Sequence, residues 1–288
     1  MDPESTSMVR APLRCLSKVL VAKRLLLANL ALMAIGMLVF FPEALLAQPI
    51  AEPIQESITE EGLVAFNPHD PEAVEALLKP FRPKSEKWQE DVAKLAESNA
   101  TDGGSEHVLF LGSSSFRLWD TIQEDLAPVK VVKRAFGGAR FGDLAIHTPE
   151  LTAGLRFSKA VVFIANEITD KSEEDTDPET TSKYARLVIA QLRAERPEVP
   201  IHLVAVTPTP LRYKYWPRIQ LTNSMLRKIA ESTPGVFYIP TAYAFLDRDG
   251  NPRAELFKDD RLHLNPNGYR TWSKILLGSL QTADQEFR

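Results

Sequence analysis

A serine, a histidine and an aspartate stand at positions where acyl-transfer chemistry would need them. Ser114 lies in a Gly-Ser-Ser-Ser run directly after the apolar segment 108–111, and His263 follows Asp260 by three residues near the other end of the chain. A serine hydroxyl is a weak nucleophile that needs an adjacent base. We expect His263 to take its proton, and Asp260 to orient the imidazole and stabilise its charged form.

The same chemistry needs fixed hydrogen-bond donors for the charge that develops on the attacked carbonyl oxygen. The backbone N–H groups of Ser114 and Gly138 and the side-chain amide of Asn166 could supply them. Ser114 is also expected near a helix N-terminus, whose positive end favours the same charge. Each feature alone is more often a turn or a helix cap. The prediction therefore depends on all of them occurring in order at the ends of strands.

The elements that would position these residues are short apolar strands that alternate with longer helices. The predicted strands cover 108–111, 129–136, 160–165, 201–206 and 236–239, and the predicted helices cover 116–126, 141–153, 178–196, 218–233 and 266–280. Continuous apolar strands are typical of a sheet covered on both faces. The alternation predicts a parallel five-stranded sheet in a three-layer α/β/α sandwich. Because ligands bind beyond the carboxyl ends of such strands, the polar loops should share one edge.

The loop that follows the fourth strand, Thr207 to Trp216, is rich in prolines, aromatic residues and arginine. Loops at the rim of a rigid scaffold often carry binding residues. Arg212, Tyr213 and Trp216 are therefore candidates for contact with an acyl group or a sugar. The alternative is that they belong to a packed surface loop.

The N-terminal part of the chain has a different character. Several basic residues precede an apolar run from Leu25 to Phe41. This pattern predicts that 1–47 is an export signal cleaved after Ala47 or a retained membrane anchor, with a buried helix as the remaining alternative. Either of the first two would place the rest of the chain outside the cytoplasm. We expect 48–104 to be a linker and helical extension, with helices at 71–80 and 84–98 and a turn-rich break at 99–105, and 105–288 to be the catalytic domain.

The composition excludes several classes of function. The single cysteine, Cys15, cannot form an internal disulfide or a thiolate metal cluster. The net charge is −4 and no concentrated basic face is visible, so a nucleic-acid partner is not expected. The loop after the first strand has neither the G-x-x-x-x-G-K-[ST] motif nor the G-x-G-x-x-G motif of nucleotide-binding proteins. The Gly-x-Ser-x-Gly elbow of α/β-hydrolases is also absent.

Four motifs resemble the conserved blocks of SGNH/GDSL-type hydrolases, in the branch that reads G-S-S-S-x-R-x-W. The matching stretches are VLFLGSSSFRLW at 108–119, RAFGG at 134–138, FIANEI at 163–168 and DRLHLN at 260–265. The resemblance covers about 105–282. It implies a flavodoxin-like sheet with strand order 2-1-3-4-5 and no metal or organic cofactor.

Carried over by position, the resemblance assigns the same residues that the chemistry suggested. They are Ser114 as nucleophile, Gly138 and Asn166 as oxyanion donors, and Asp260 and His263 as the rest of the triad. The sequence departs from the family's pattern at Ser113, where an aspartate is usual, and in the third block, normally G-x-N-D, at Ile164 and Glu167. A shift of one or two residues would place Ile168 at the asparagine position and leave the oxyanion hole one donor short.

The leading interpretation is an exported serine ester hydrolase that acts on a small-molecule or glycan ester. Short acyl groups such as O-acetyl are favoured because the rim has no long apolar insertion. Acetyl transfer to a polysaccharide by the same acyl-enzyme is an alternative. A catalytically weakened domain that binds carbohydrate or lipid is another, since the third block is altered. If the anchor is retained, the membrane is a further contact.

Overall fold

One parallel sheet of five strands organises the part of the chain that the computed structural model describes, residues 66–169 and 172–286. The predicted signal or anchor at 1–47 lies outside these residues. The strands are β1 His107–Gly112, β2 Lys130–Ala135, β3 Lys159–Phe163, β4 Ile201–Val204 and β5 Val236–Ile239. Their order, β2-β1-β3-β4-β5, is the one that the family resemblance implied. The parallel α/β architecture is confirmed, and each strand lies within two residues of its predicted bounds.

Helices cover both faces of this sheet. They are α1 Pro71–Leu78, α2 Arg82–Ser85, α3 Gln89–Ala96, α4 Asn99–Asp102, α5 Ser114–Arg117, α6 Ile122–Asp125, α7 Phe141–Thr152, α8 Pro178–Glu195, α9 Trp216–Ser232 and α10 Pro266–Glu286. Short 3-10 helices lie at Glu86–Trp88, Ser172–Glu174, Tyr213–Tyr215, Thr241–Phe245 and Ala254–Leu256. Among the described residues, no helix is both long enough and apolar enough to span a membrane.

The two faces of the sheet contribute to two separate cores. Leu109 and Leu111 of β1 point into the core shared with α7, α8 and α9, whereas Val108 and Phe110 point into the core shared with α5, α6 and α10. Successive side chains of a strand alternate between faces. A strand that is buried on both sides therefore has the continuous apolar pattern seen here.

The carboxyl ends of three neighbouring strands, β2, β1 and β3, lie level with one another. Gly112, the last residue of β1, pairs with Ala135 of β2 on one side and with Phe163 of β3 on the other. A Cβ atom at position 112 would collide with the carbonyl oxygen of Phe163, so glycine is required for this close approach. As a result, the loops that follow β1, β2 and β3 leave the sheet at the same edge.

Three of the longer helices begin at side-chain caps that are each followed by a proline. Asp70 accepts two backbone N–H groups at the start of α1, from Glu72 and Ala73, and Asp177 accepts that of Thr180 at the start of α8. Asn265 accepts two N–H groups in the first turn of α10. A cap followed by proline is a strong start signal, because proline has no N–H to satisfy and its φ is already helical.

Two predicted helices differ in the structure. The predicted helix 116–126 is two short helices, α5 and α6, because Trp119 between them is fully buried and its indole N–H donates to Asp125 at 2.7 Å. The predicted helix 84–98 is interrupted by the 3-10 turn at Glu86–Trp88. Tertiary packing overrides local propensity at both places.

The predicted break at 99–105 also begins as a helix, α4. Asn99 is buried there, and its amide donates to the carbonyl oxygens of Glu150 and Ala153 while it accepts from Arg134. An asparagine that sequence reasoning assigns to a turn is here used for long-range contacts. Residues from α1 and α3, including Leu78 and Val92, belong to the core that contains Leu109 and Leu111 of β1.

Candidate active site

Ser114, His263 and Asp260 form a hydrogen-bonded series at the carboxyl edge of the sheet. The Ser114 Oγ atom lies 3.0 Å from His263 Nε2, and His263 Nδ1 lies 2.7 Å from Asp260 Oδ2. Ser114 is the first residue of α5, two residues after the end of β1, whereas His263 is 149 residues further along the chain. This geometry allows the imidazole to accept the serine proton while its other nitrogen donates to the carboxylate.

The turn that carries Asp260 and His263 fixes the carboxylate as well as the ring. Asp260 Oδ1 accepts the backbone N–H groups of Leu262 and His263, each at 2.9 Å. Partial burial alone would raise the pKa of Asp260, but these bonds and the His263 ring lower it to about 2. Arg261 between them has a φ of 58°, in the left-handed region that few non-glycine residues adopt. The aspartate is therefore held ionised behind the imidazole.

The amide of Asn166 has a single chemically sensible orientation. Its Nδ2 donates to the Ala139 carbonyl oxygen at 2.9 Å, and its Oδ1 accepts from Arg212 Nη1 at 3.2 Å. A reversed amide would set its N–H group against the guanidinium and its oxygen against a carbonyl. Arg212 also donates to the Ala165 carbonyl oxygen at 2.6 Å, which fixes the arginine itself. The second Nδ2 proton of Asn166 is left for another acceptor.

A small cavity of about 20 Å³ lies between these groups. Ser114, Asn166, Arg212 and His263 all line it, together with Thr207 and Thr209. In the described part of the chain, no group of three or more histidine, cysteine, aspartate or glutamate side chains could hold a metal ion.

Of the three rim residues predicted to contact substrate, only Arg212 lines this cavity, as far as the described residues show. The Tyr213 hydroxyl donates to the carbonyl oxygen of Gly250. Trp216 packs against a small apolar cluster that includes Ile168. Ile168 itself is buried, so the structure brings Asn166, and not Ile168, to the cavity.

Gly138 lies in the loop between β2 and α7 with a φ of 73°, a conformation that favours glycine. The loop is tied to the strand beside it, since Ala139 accepts from Asn166. A further tie comes from Glu167, whose Oε1 accepts the backbone N–H of Phe141 at the first turn of α7. Burial raises the pKa of Glu167 to about 7, although the bond from Phe141 opposes the shift.

The role of Glu167 was not recognised from the sequence, which showed only that it stands where the family has aspartate. Its position immediately after Asn166 was the available signal. The Glu167 side chain is one methylene longer than that of aspartate, and its carboxylate accepts the backbone N–H of Phe141, at the start of the helix that follows the loop of Gly138.

Serine, histidine and aspartate in hydrogen-bonded series are an arrangement that recurs in serine hydrolases on unrelated folds, and here it lies at the carboxyl edge of a parallel α/β sheet. Residues 99–271 match the model of the GDSL-like lipase/acylhydrolase family. The chain belongs to this family. No curated protein matches it by sequence.

Several solved structures share the fold at low sequence identity. A Streptococcus pneumonia protein described as a platelet activating factor is 21% identical with a TM-score of 0.60, over 70% of this chain and 97% of its own. A Bacteroides fragilis protein described as an acylhydrolase is 16% identical with a TM-score of 0.58, over 71% and 98%. An acetyl xylan esterase is 20% identical with a TM-score of 0.52, over 60% and 98%. These likenesses are likenesses of fold.

Proposed function

We propose that the chain is a carboxylic ester hydrolase that forms an acyl-enzyme on Ser114. The observation that carries the proposal is the 3.0 Å contact between Ser114 Oγ and His263 Nε2, with Asp260 2.7 Å behind the ring. The serine oxygen attacks the acyl carbon while Nε2 takes its proton. The imidazolium then gives that proton to the departing alkoxide. Water repeats the sequence on the acyl-enzyme and releases the acid.

The negative oxygen of each tetrahedral intermediate would accept from three donors: the N–H groups of Ser114 and Gly138 and the free Nδ2 proton of Asn166. Support for Asn166 comes from its contacts with Ala139 and Arg212, which orient its nitrogen. Donors that are fixed before the reaction stabilise the developing charge without reorganisation.

We propose that the acyl group is short, with acetyl as the best fit. This proposal is based on the size of the cavity beside Ser114, which measures about 20 Å³. A space this small beside the nucleophile favours a short acyl group over a long one. We also propose that the chain acts outside the cytoplasm.

This second proposal rests on the basic and apolar pattern of 1–47. Deletion of 1–47 should then leave the protein in the cytoplasmic fraction, and an unchanged distribution of the protein between cell fractions would contradict the proposal.

The test uses the full chain, p-nitrophenyl esters of increasing acyl length and a fluorophosphonate probe. The wild type should hydrolyse the acetyl ester faster than the hexanoyl ester, and the probe should label Ser114 stoichiometrically. Ser114→Ala should lose activity by more than about a thousandfold, because no other group replaces the nucleophile. Ser232→Ala, the same substitution at the exposed end of α9, is the control.

The outcomes separate the alternatives. Hydrolysis unchanged in Ser114→Ala would refute the proposal. A wild type that is neither active nor labelled would instead support a weakened binding domain. Acetylated sugar formed in place of free acetate, when a glycan is added, would indicate acetyl transfer.

A further inference from the structure

The N-terminal segment 81–88, which we call the clamp, packs directly on the loop that carries Gly138. The family match begins at residue 99, so the clamp lies outside the part of the chain that the family defines. It comprises Phe81, helix α2 and the 3-10 turn at Glu86–Trp88.

The clamp contacts the start of α7 through one apolar and one polar side chain. The ring of Phe81 lies so close to Gly142 that a Cβ atom there would be 2.8 Å from it. The Ser85 hydroxyl donates to Asp143 Oδ1 at 2.6 Å, and the other oxygen of Asp143 accepts the backbone N–H of Arg140 at 2.8 Å. The clamp is thereby linked through Asp143 to the backbone two residues after Gly138.

Trp88 contacts the loop itself. Its ring would lie 3.4 Å from a Cβ atom at Gly138, and its centroid is 5.6 Å from that of Phe136, the buried residue that precedes the glycine pair. The indole therefore lies against the loop at the residue that supplies the proposed donor. Asn166 and Glu167 hold the same loop from the strand β3 side, through Ala139 and Phe141.

A loop of this kind has little stiffness of its own. It contains two successive glycines, and Gly138 has a left-handed φ that glycine leaves as easily as it enters. An oxyanion donor contributes to rate only if its N–H is already aimed at the place where charge develops. The contacts on the two sides of the loop supply the restraint that the glycines lack.

We propose that Trp88 is a positioning residue for the Gly138 donor, and that the clamp is part of the catalytic apparatus of this chain. The inference rests on the proposed function. Its physical basis is that Trp88 and Ser85 restrict the loop through contacts that are separate from those of Asn166. Loss of the indole leaves the backbone intact but allows the Gly138 N–H to move.

The test compares Trp88→Ala, Trp88→Phe and Ser85→Ala in the full chain with p-nitrophenyl acetate. A displacement of about 1 Å can cost up to a hundredfold in rate, so Trp88→Ala should lower kcat by about ten- to a hundredfold with KM changed less than about threefold. Trp88→Phe should keep most of the wild-type kcat that Trp88→Ala loses, because an aromatic ring still faces Gly138. Ser85→Ala should lower kcat several-fold. In each of the three variants, the rate at which the fluorophosphonate probe labels Ser114 should fall in proportion to kcat.

The matched control is Leu95→Ala. Leu95 packs against the same core from α3, so this variant loses packing in the extension and should keep its kcat. If Trp88→Ala fails to fold, Trp88→Phe and Ser85→Ala still carry the test. If the wild type is active and the folded clamp variants have the same kcat as Leu95→Ala, this inference is overturned and the proposed function is not. An inactive wild type would refute the proposed function and the inference with it.

Discussion

Arg212 and Asn166 show how one side chain can act through another. Arg212 lines the cavity and donates both to the carbonyl oxygen of Ala165 and to Asn166 Oδ1, so its guanidinium helps to hold the Asn166 amide. A charged arginine beside a reacting ester would ordinarily be interpreted as a substrate contact. From the hydrogen bond to Asn166 Oδ1 we infer that Arg212 also positions this amide.

We predict that Asn166→Ala lowers kcat for an acetyl ester by about a hundredfold or more, as for loss of an oxyanion donor, and that Arg212→Ala lowers it by about tenfold. If Arg212 acts through Asn166, the double variant should be no slower than Asn166→Ala alone. Steady-state kinetics of the four proteins at saturating ester would measure this. Fully additive losses would contradict the coupling.

Arg218→Ala is the control for loss of an arginine near this loop. Its guanidinium is partly exposed and pairs with Asp175, away from the cavity. We expect it to keep wild-type kcat.

Among the elements, helix α10 holds the loop that carries Asp260 and His263 against the segment that begins with Ser114. Trp272 of α10 stacks on Trp119 with ring centroids 5.6 Å apart and meets Phe163 edge-on at 4.8 Å. The hydroxyl of Tyr269 donates to the backbone oxygen of Ser115 at 2.8 Å. The helix that begins three residues after His263 is thus fastened to the helix that begins at Ser114.

We predict that Trp272→Ala destabilises the protein by about 3–5 kcal/mol, the usual cost of removing a large buried aromatic side chain. Trp272 is fully buried, so little relaxation can fill the space. Chemical denaturation would measure the free energy of unfolding. Tyr243→Ala, at a tyrosine that is 65% exposed, should change it by less than about 0.5 kcal/mol. A loss below about 1 kcal/mol for Trp272→Ala would contradict the role given to this cluster.

The elements were predictable where one local rule decided them. The strands were found because burial on both faces makes them continuously apolar, and the start of α10 because Asn265 and Pro266 are adjacent. The helix predicted at 116–126 was wrong because the packing of Trp119 interrupts it, and that packing involves residues about 150 positions away. No local pattern carries such information.

Some residues of the candidate site could likewise be predicted from the sequence, and others could not. Ser114, Asn166 and His263 could be named because each lies within three residues of a strand end or a helix start, at the edge where ligands bind. The contacts of Trp88 and Glu167 with the loop of Gly138 could not be predicted. They join segments whose spacing in the sequence has no fixed meaning, and only the packed fold brings them together.

At the scale of the whole molecule, Glu167 makes stability depend on pH. Burial raises its pKa from 4.5 to about 7 in the folded protein. In the unfolded chain the carboxyl ionises near 4.5, so the stability from this group is complete below that pH and is lost as the pH rises towards 7. The difference of roughly 2.5 pKa units corresponds to about 3 kcal/mol.

We predict that Glu167→Gln, which keeps an oxygen acceptor for Phe141 but cannot ionise, removes this dependence. Its free energy of unfolding should fall by about 3 kcal/mol less than that of the wild type between pH 4 and pH 8. Urea denaturation across that range would measure both. Glu231→Gln, at an exposed glutamate of α9, should follow the wild-type curve. Parallel curves for Glu167→Gln and the wild type would show that Glu167 does not titrate in this range.

The 149 residues that separate Ser114 from His263 also affect how the protein is made. A ribosome releases the serine and its strand long before it has synthesised the histidine, and chains begin to fold from the N-terminal side. A growing chain therefore has an exposed hydroxyl with no base beside it. The contact between Ser114 and His263 can arise only when the last helix has packed on the sheet, so under the proposed function an unfinished chain would not cleave esters.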